Sequence, residues 1–217
     1  MVSELTGGTI ETTLGKVHLL KKLGRGKSGY SYLSELDGKL VVFKQMHNEP
    51  CSYYDFDDDK VQLEVRAYQK LHAIGILIPE LLCFDIEKQY LLKTYLDGPS
   101  GNEWLLQDDS NEEMIIQQLF SMASKLRACD LNVDYFPPNF VISSQKLYYV
   151  DYEINPYSKE WSFEEWGIYY WANRAGMAEF ANTGNWRAIN AAENSGIPIK
   201  APFEVQVKKW KAKFGVN

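Results

Sequence analysis

Three glycines in LGRGKSGYSYL, Leu23 to Leu33, are the first residues whose spacing suggests chemistry. Gly24, Gly26 and Gly29 let a backbone approach oxygen atoms that any Cβ would hold off. Lys27 and Ser28 add an ammonium and a hydroxyl between them, so the chemistry suggested is phosphate binding. The stretch ends a P-loop pattern with GKS and also satisfies GxGxxG, which two unrelated nucleotide-binding folds use. A glycine-rich hairpin turn without a ligand is the plain alternative. A second candidate is the acidic run Asp55, Asp57, Asp58 and Asp59. It admits a metal site, but its place before a helix start points first to a solvated cluster that favours the helix dipole.

The elements that position these residues follow from periodicity. KVHLLKKLG and GYSYLSEL are extended, and Asp37-Gly38 between GYSYLSEL and KLVVFKQM is a hairpin signal, because a type I′ turn needs positive φ at both central residues. The first fifty residues therefore form an antiparallel meander. In KVQLEVRAYQKL, Val61, Val65, Tyr68 and Leu71 recur at helical spacing. PELLCFDIEKQYLLKTYL supplies two strands around Glu87-Lys88. Ser110 and Glu113 then form a capping box before MIIQQLFSMASKLRA, with Ile115, Leu119, Met122 and Leu126 as its apolar stripe. NVDYFPPNFVISSQKLYYVDYE reads as a Pro-broken loop and two short strands. Ser162 and Glu165 open a further helix, EEWGIYYWANRAGMAEFA, and Phe203, Val207, Trp210 and Phe214 share one face of the tail. This order predicts an α+β fold of two lobes, residues 1–97 and 98–217, joined near Leu96 to Gly98.

Composition narrows the function classes. The 217 residues are 45% apolar and 14% aromatic, enough for real cores. A formal charge of -6 and a pI near 5.2 argue against nucleic-acid partners and anionic membranes, which need clustered Lys and Arg. Cys51, Cys83 and Cys129 are scattered without a CxxC pair, so neither disulfides nor zinc are indicated. No run approaches the roughly 18 apolar residues of a membrane span, and the start of the chain lacks a signal pattern, so the expected location is cytoplasmic.

Two readings of the opening motif weaken on these elements. The P-loop needs a Gly five residues before the Gly of GKS, where Lys21 stands, and a helix afterwards, where a hairpin follows. The dinucleotide-binding reading also requires that helix. A third remains: the glycine-rich loop of protein kinases, which lies between antiparallel strands with its amides over the ATP phosphates.

From Gly24 to Asp151 the chain resembles the protein-kinase-like superfamily. Lys44, ending VVFK, resembles the strand lysine that holds the α- and β-phosphates, and Glu64 resembles its helical partner. LLKTYLDG resembles the hinge, which implies Thr94 offering a carbonyl and Leu96 an amide to adenine, with Lys93 at the usually apolar gatekeeper position. In DYFPPN, Asp134 matches the residue that orients the acceptor hydroxyl and Asn139 a Mg2+ ligand, while Asp151 of VDYE matches the second metal ligand. Two hard oxygen donors suit Mg2+, which completes its shell with water and phosphate oxygens. VDYE looks like the aminoglycoside and choline kinase branch. The resemblance implies a bilobal kinase-like fold, ATP and Mg2+ as cofactors, and Gly24, Gly26, Lys27, Ser28, Gly29, Lys44, Thr94 and Leu96 as the nucleotide site.

Departures keep two functions open. Asn132 replaces the usual His, Phe136 replaces the lysine that follows the catalytic Asp, and Glu153 replaces a Gly. No peptide-docking APE segment follows Asp151. The expected function is phosphoryl transfer from Mg-ATP to a hydroxyl, on a protein or a small molecule; the alternative is a nucleotide-binding pseudokinase acting as a regulatory or scaffold module. Trp161, Trp166, Trp171 and Trp186 could line an acceptor pocket with Glu153, Glu164 or Glu165 facing a cationic acceptor, although core packing explains the tryptophans more simply.

Overall fold

From Gly15 to Met46, apolar and polar residues largely alternate with the period of a strand that buries one face. In the computed structural model, which describes residues 7–49, 58–107, 111–192 and 195–215, this stretch forms β2 (Gly15–Arg25), β3 (Gly29–Leu36) and β4 (Lys39–Met46), after a short β1 (Thr9–Thr12). Asp37 and Gly38 take φ of 49° and 75°, the left-handed pair that the type I′ turn demands. After α1 (Lys60–Ile74) come β5 (Leu81–Asp85) and β6 (Tyr90–Thr94), and β6 pairs with β4. The result is one six-stranded antiparallel sheet in the order β1-β2-β3-β4-β6-β5. Contacts divide the chain into two compact units, Met1–Lys70 with Pro79–Leu96 and Leu71–Ile78 with Asp97–Asn217.

In the first unit one sheet face is apolar. Val17, Leu19, Tyr30, Tyr32, Val41, Phe43, Tyr90 and Leu92 form its core. The register puts different chemistry on the other face. Lys44 lies opposite Ser31 and Leu91, and Val42 lies opposite Leu33 and Lys93. The buried stripe of α1 differs from the expected one: Val61, Glu64, Ala67 and Leu71 are buried, while Val65 and Tyr68 are only partly so. A carboxylate has taken an apolar place, which needs a partner.

Before α1, Asp59 accepts from the Gln62 amide at 2.9 Å and Asp58 pairs with Arg66, so these two serve the helix. Asp55 and Asp57 lie outside the described residues, as do Cys51 and Ser110. Cys83 and Cys129 are free thiols. Among the described residues no three His, Cys, Asp or Glu side chains are grouped to hold a metal, and no helix is long and apolar enough to cross a membrane.

The second unit is mainly helical: α2 (Gly101–Leu105), α3 (Glu112–Arg127), α4 (Ile168–Ala172), α5 (Arg174–Thr183) and α6 (Glu204–Phe214). Two-residue strands β7 (Leu131–Asn132) and β10 (Asn155–Pro156) pair with each other, and β8 (Phe140–Ser143) pairs with β9 (Lys146–Tyr149). The architecture is thus α+β. The α3 stripe Ile115, Leu119, Met122 and Leu126 is buried in a core that includes Trp104, Phe140, Trp171, Val207 and Trp210. Phe203 and Phe214 pack partly buried against it.

Three local expectations need correction. The short α2, absent from the sequence reading, starts at Ser100, whose amide donates to Glu103 at 2.8 Å. The N-cap of α3 is Asn111. The helix expected after Ser162 is not continuous: a π-helical turn, Phe163–Gly167, leads into α4, which stops at Asn173. Asn173 ends one helix and begins another, since its side chain accepts from the Gly176 amide at 2.9 Å and donates to the Ala188 carbonyl at 3.0 Å. Ser162 caps as expected, accepting from the Glu165 amide at 3.3 Å, but the Glu165 carboxylate goes to Lys211 instead of closing the box.

Candidate active site

In the first unit the site is built on β3, β4 and α1. Strand alternation turns Lys44 off the apolar core onto the opposite sheet face, where it is 6% exposed. Its Nζ donates to Glu64 Oε1 at 2.5 Å, the partner that the resemblance implies. Ser28 Oγ donates to the same oxygen at 2.9 Å, while Glu64 Oε2 is buried with no hydrogen-bond partner. Ser28 is therefore turned inward and buried rather than standing at the tip of the glycine-rich turn. Lys27 is partly buried beside it.

The turn is closed by Gly26 N–H donating to the Gly29 carbonyl at 2.9 Å. A Cβ at Gly29 would lie 2.4 Å from the Gln45 carbonyl, so packing on β4 requires that glycine. Gly24 and Gly26 are different: neither has positive φ, and a Cβ would find nothing within 4 Å at Gly24 and only Gly29 O, at 3.8 Å, at Gly26.

At the end of β6, Thr94 is engaged with Glu80. Its amide donates to the Glu80 carbonyl and its hydroxyl accepts from the Glu80 amide, both at 2.9 Å. Leu96 lies two residues beyond the strand, half-buried. Lys93 is 5% exposed and shares the sheet face of Lys44, one diagonal away.

In the second unit Asp134 follows β7, and Pro137–Asn139 form a 3-10 turn that fixes the distance to Asn139. A Cβ at Gly101 would collide with the Pro137 carbonyl at 2.3 Å, so the start of α2 seats this loop. Asp134 Oδ1 accepts from the Phe136 amide at 3.0 Å, and Asn139 Nδ2 donates to the Asp134 carbonyl at 3.3 Å, leaving Asn139 Oδ1 as the acceptor end of its amide. The Val150 amide donates to the Asn139 carbonyl at 2.9 Å, which brings the loop of Asp151 beside Asn139.

Charge accumulates around these residues. Burial pushes the Asp134 carboxyl up to about 6; the Phe136 amide opposes this, and the negative charges of Glu153 and Asp151 add to it. Beneath them the Tyr149 phenol is held far above its usual range, by burial first and then by Asp151, Glu153 and Asp134. A carbon-13 titration of Asp134 is expected to show a midpoint near 6, and Glu153→Gln lowers it. A midpoint near 4, the ordinary value, would contradict the environment described.

The departures from the expected motif have structural partners. Asn132, 4% exposed, donates to the Trp161 carbonyl at 2.8 Å. Phe136 stacks on Trp186 with ring centroids 5.9 Å apart and meets Tyr170 edge-on at 5.1 Å. Trp171 is core, its Nε1 donating to the Tyr135 carbonyl, and Trp166 is tied to the Gly196 carbonyl; Trp161 and Trp186 stay 44% exposed. Glu164 pairs with Arg127 and Glu165 with Lys211, each at 3.0 Å, while Glu153 accepts from Asn155.

The structure thus brings together Lys44, Glu64 and Ser28 in one unit, and Asp134, Asn139 and Asp151 in the other. Sequence reasoning missed His47, whose amide donates to the Ser28 carbonyl and whose ring donates to the Gly26 carbonyl, both at 3.1 Å. No spacing rule marks a contact across 21 residues. No protein-family model matches the chain, and no curated protein matches it either.

Proposed function

We propose that the chain is an ATP-dependent phosphotransferase of the protein-kinase-like superfamily, moving the γ-phosphate of Mg-ATP to a hydroxyl acceptor. The observation that carries this reading is the buried Lys44–Glu64 pair. Buried ion pairs can often be replaced by apolar residues without loss of stability, so this one is better explained by a task than by folding. An ammonium held beside a glycine-rich turn suits the α- and β-phosphates. In this reading residues 1–97 are the ATP-binding lobe and 98–217 the catalytic lobe, with Thr94 and Leu96 toward the base.

The residues fit both groups. Gly24 and Gly26 serve neither left-handed backbone nor packing, which supports a role in letting phosphate oxygens approach the turn. Gly24→Ala and Gly26→Ala are accordingly expected to leave the melting temperature unchanged but weaken Mg-ATP binding about tenfold, whereas Gly29→Ala destabilises the fold by about 1–3 kcal/mol. Calorimetric titration and denaturant unfolding check this, and Gly24→Ala and Gly26→Ala variants that bind normally would count against the phosphate site. Asn139 Oδ1 and the Asp151 carboxylate would hold Mg2+, whose chemistry is to neutralise charge on the phosphates.

Asp134 orients the acceptor and takes its proton. The acceptor oxygen bonds to the γ-phosphorus, the bond to the β–γ bridging oxygen breaks, and ADP departs. With no cation at Phe136, neutralisation of the moving phosphoryl group would fall to Lys44 and to the Mg2+ that Asn139 and Asp151 would hold.

A nucleotide-binding module without transfer is the second reading, favoured by the structural employment of Asn132 and Phe136. Incubation with Mg2+ and γ-labelled ATP, with and without protein and small-molecule acceptors, separates the two. Label moving to an acceptor supports the enzyme; tight ATP binding without transfer under any condition leaves the module.

A further inference from the structure

Glu64 carries an uneven load: Oε1 accepts from both Lys44 Nζ and Ser28 Oγ, while Oε2, equally buried, accepts from nothing. The Ser28 side of this arrangement belongs to the glycine-rich turn. Its carbonyl accepts from the His47 amide, and His47 Nε2 reaches the Gly26 carbonyl. The Glu49 amide donates to His47 Nδ1 at 3.2 Å, so the ring proton is on Nε2. The turn is therefore held from α1 through one carboxylate oxygen and from the end of β4 through His47.

We propose that Ser28 is a positioning residue, whose hydroxyl couples the glycine-rich turn to the Lys44–Glu64 pair and so closes the turn before nucleotide arrives. The functional half of this rests on the nucleotide reading above. A turn containing two unpacked glycines has much conformational freedom, and whatever orders it in the free protein relieves the ligand of that ordering. Hydrogen bonds to a carboxylate are strong enough to serve. Because a single oxygen accepts from both donors, a displacement of α1 breaks the Lys44 and Ser28 contacts to Glu64 together and leaves the turn held through His47.

The test uses the full chain as wild type, Ser28→Ala and Ser28→Thr. In ligand-free protein, amide exchange at Gly26 and His47 is expected to quicken about fivefold in Ser28→Ala and to return to wild type in Ser28→Thr, which keeps the hydroxyl. The Kd for a non-hydrolysable ATP analogue with Mg2+ rises about fivefold in the alanine variant alone. Unchanged exchange in Ser28→Ala overturns the proposal. Faster exchange with unchanged Kd removes the positioning role while leaving the nucleotide site intact. Faster exchange in a protein whose wild type binds no nucleotide overturns the proposed function, and the positioning role with it.

Discussion

If the chain is the proposed phosphotransferase, Asp134→Asn is expected to transfer phosphate at least about a hundredfold more slowly than wild type, yet to melt at a higher temperature at pH 7. The rate falls because an amide cannot accept the acceptor's proton. The stability rises because the carboxyl's titration is raised to about 6 in the fold, against about 4 unfolded. A carboxyl that binds its proton more tightly when folded favours the fold below pH 4 and loses that contribution as pH rises through 6. At pH 7 it is ionised among Glu153 and Asp151, and the neutral amide is spared this while Asn Oδ1 still accepts from the Phe136 amide. Melting curves between pH 4 and 8 check the second half: the advantage of the variant shrinks toward acid. Wild-type transfer rates in Asp134→Asn would remove Asp134 from the mechanism.

Lys44→Met is expected to abolish the proposed nucleotide binding and also to destabilise the fold by about 3–5 kcal/mol, since it removes the cation from a carboxylate that is 6% exposed and already has one unpartnered oxygen. Combining it with Glu64→Leu restores stability, because Val61, Ala67 and Leu71 already make that helix face apolar. Binding does not return. Denaturant unfolding and titration with Mg-ATP measure the two effects separately, and a double variant that binds like wild type would sink the proposed role of Lys44. The single variant alone cannot tell binding from folding.

Much of the framework was legible because its causes are local. Asp37-Gly38 specified its turn through the φ values those residues tolerate, and the α3 stripe followed from a period of 3.6. The spacing of Asp134 and Asn139 was equally local, since a Pro-Pro 3-10 turn sets it. Reading failed where a side chain answered to a distant partner. Glu64 displaced Val65 from the buried stripe because Lys44 lies across from it, and Asn173 broke a long helical pattern because Ala188 and Gly176 employ its amide. Ser28 reads from sequence as a hydroxyl for phosphate, and only the fold shows the carboxylate to which it donates.

The sequence by itself determined the α+β order, the hairpin turn at Asp37-Gly38 and the residue types available for chemistry, because dihedral preference and side-chain period act over a few residues. Tertiary structure decided which of those residues are buried, paired or driven from their usual protonation. It made a buried pair of Lys44 and Glu64, turned Ser28 inward, and raised the titration of Asp134 first by burying it and then by the charges of Glu153 and Asp151. Burial and charge proximity depend on atoms brought together across long stretches of chain, and no local pattern encodes them.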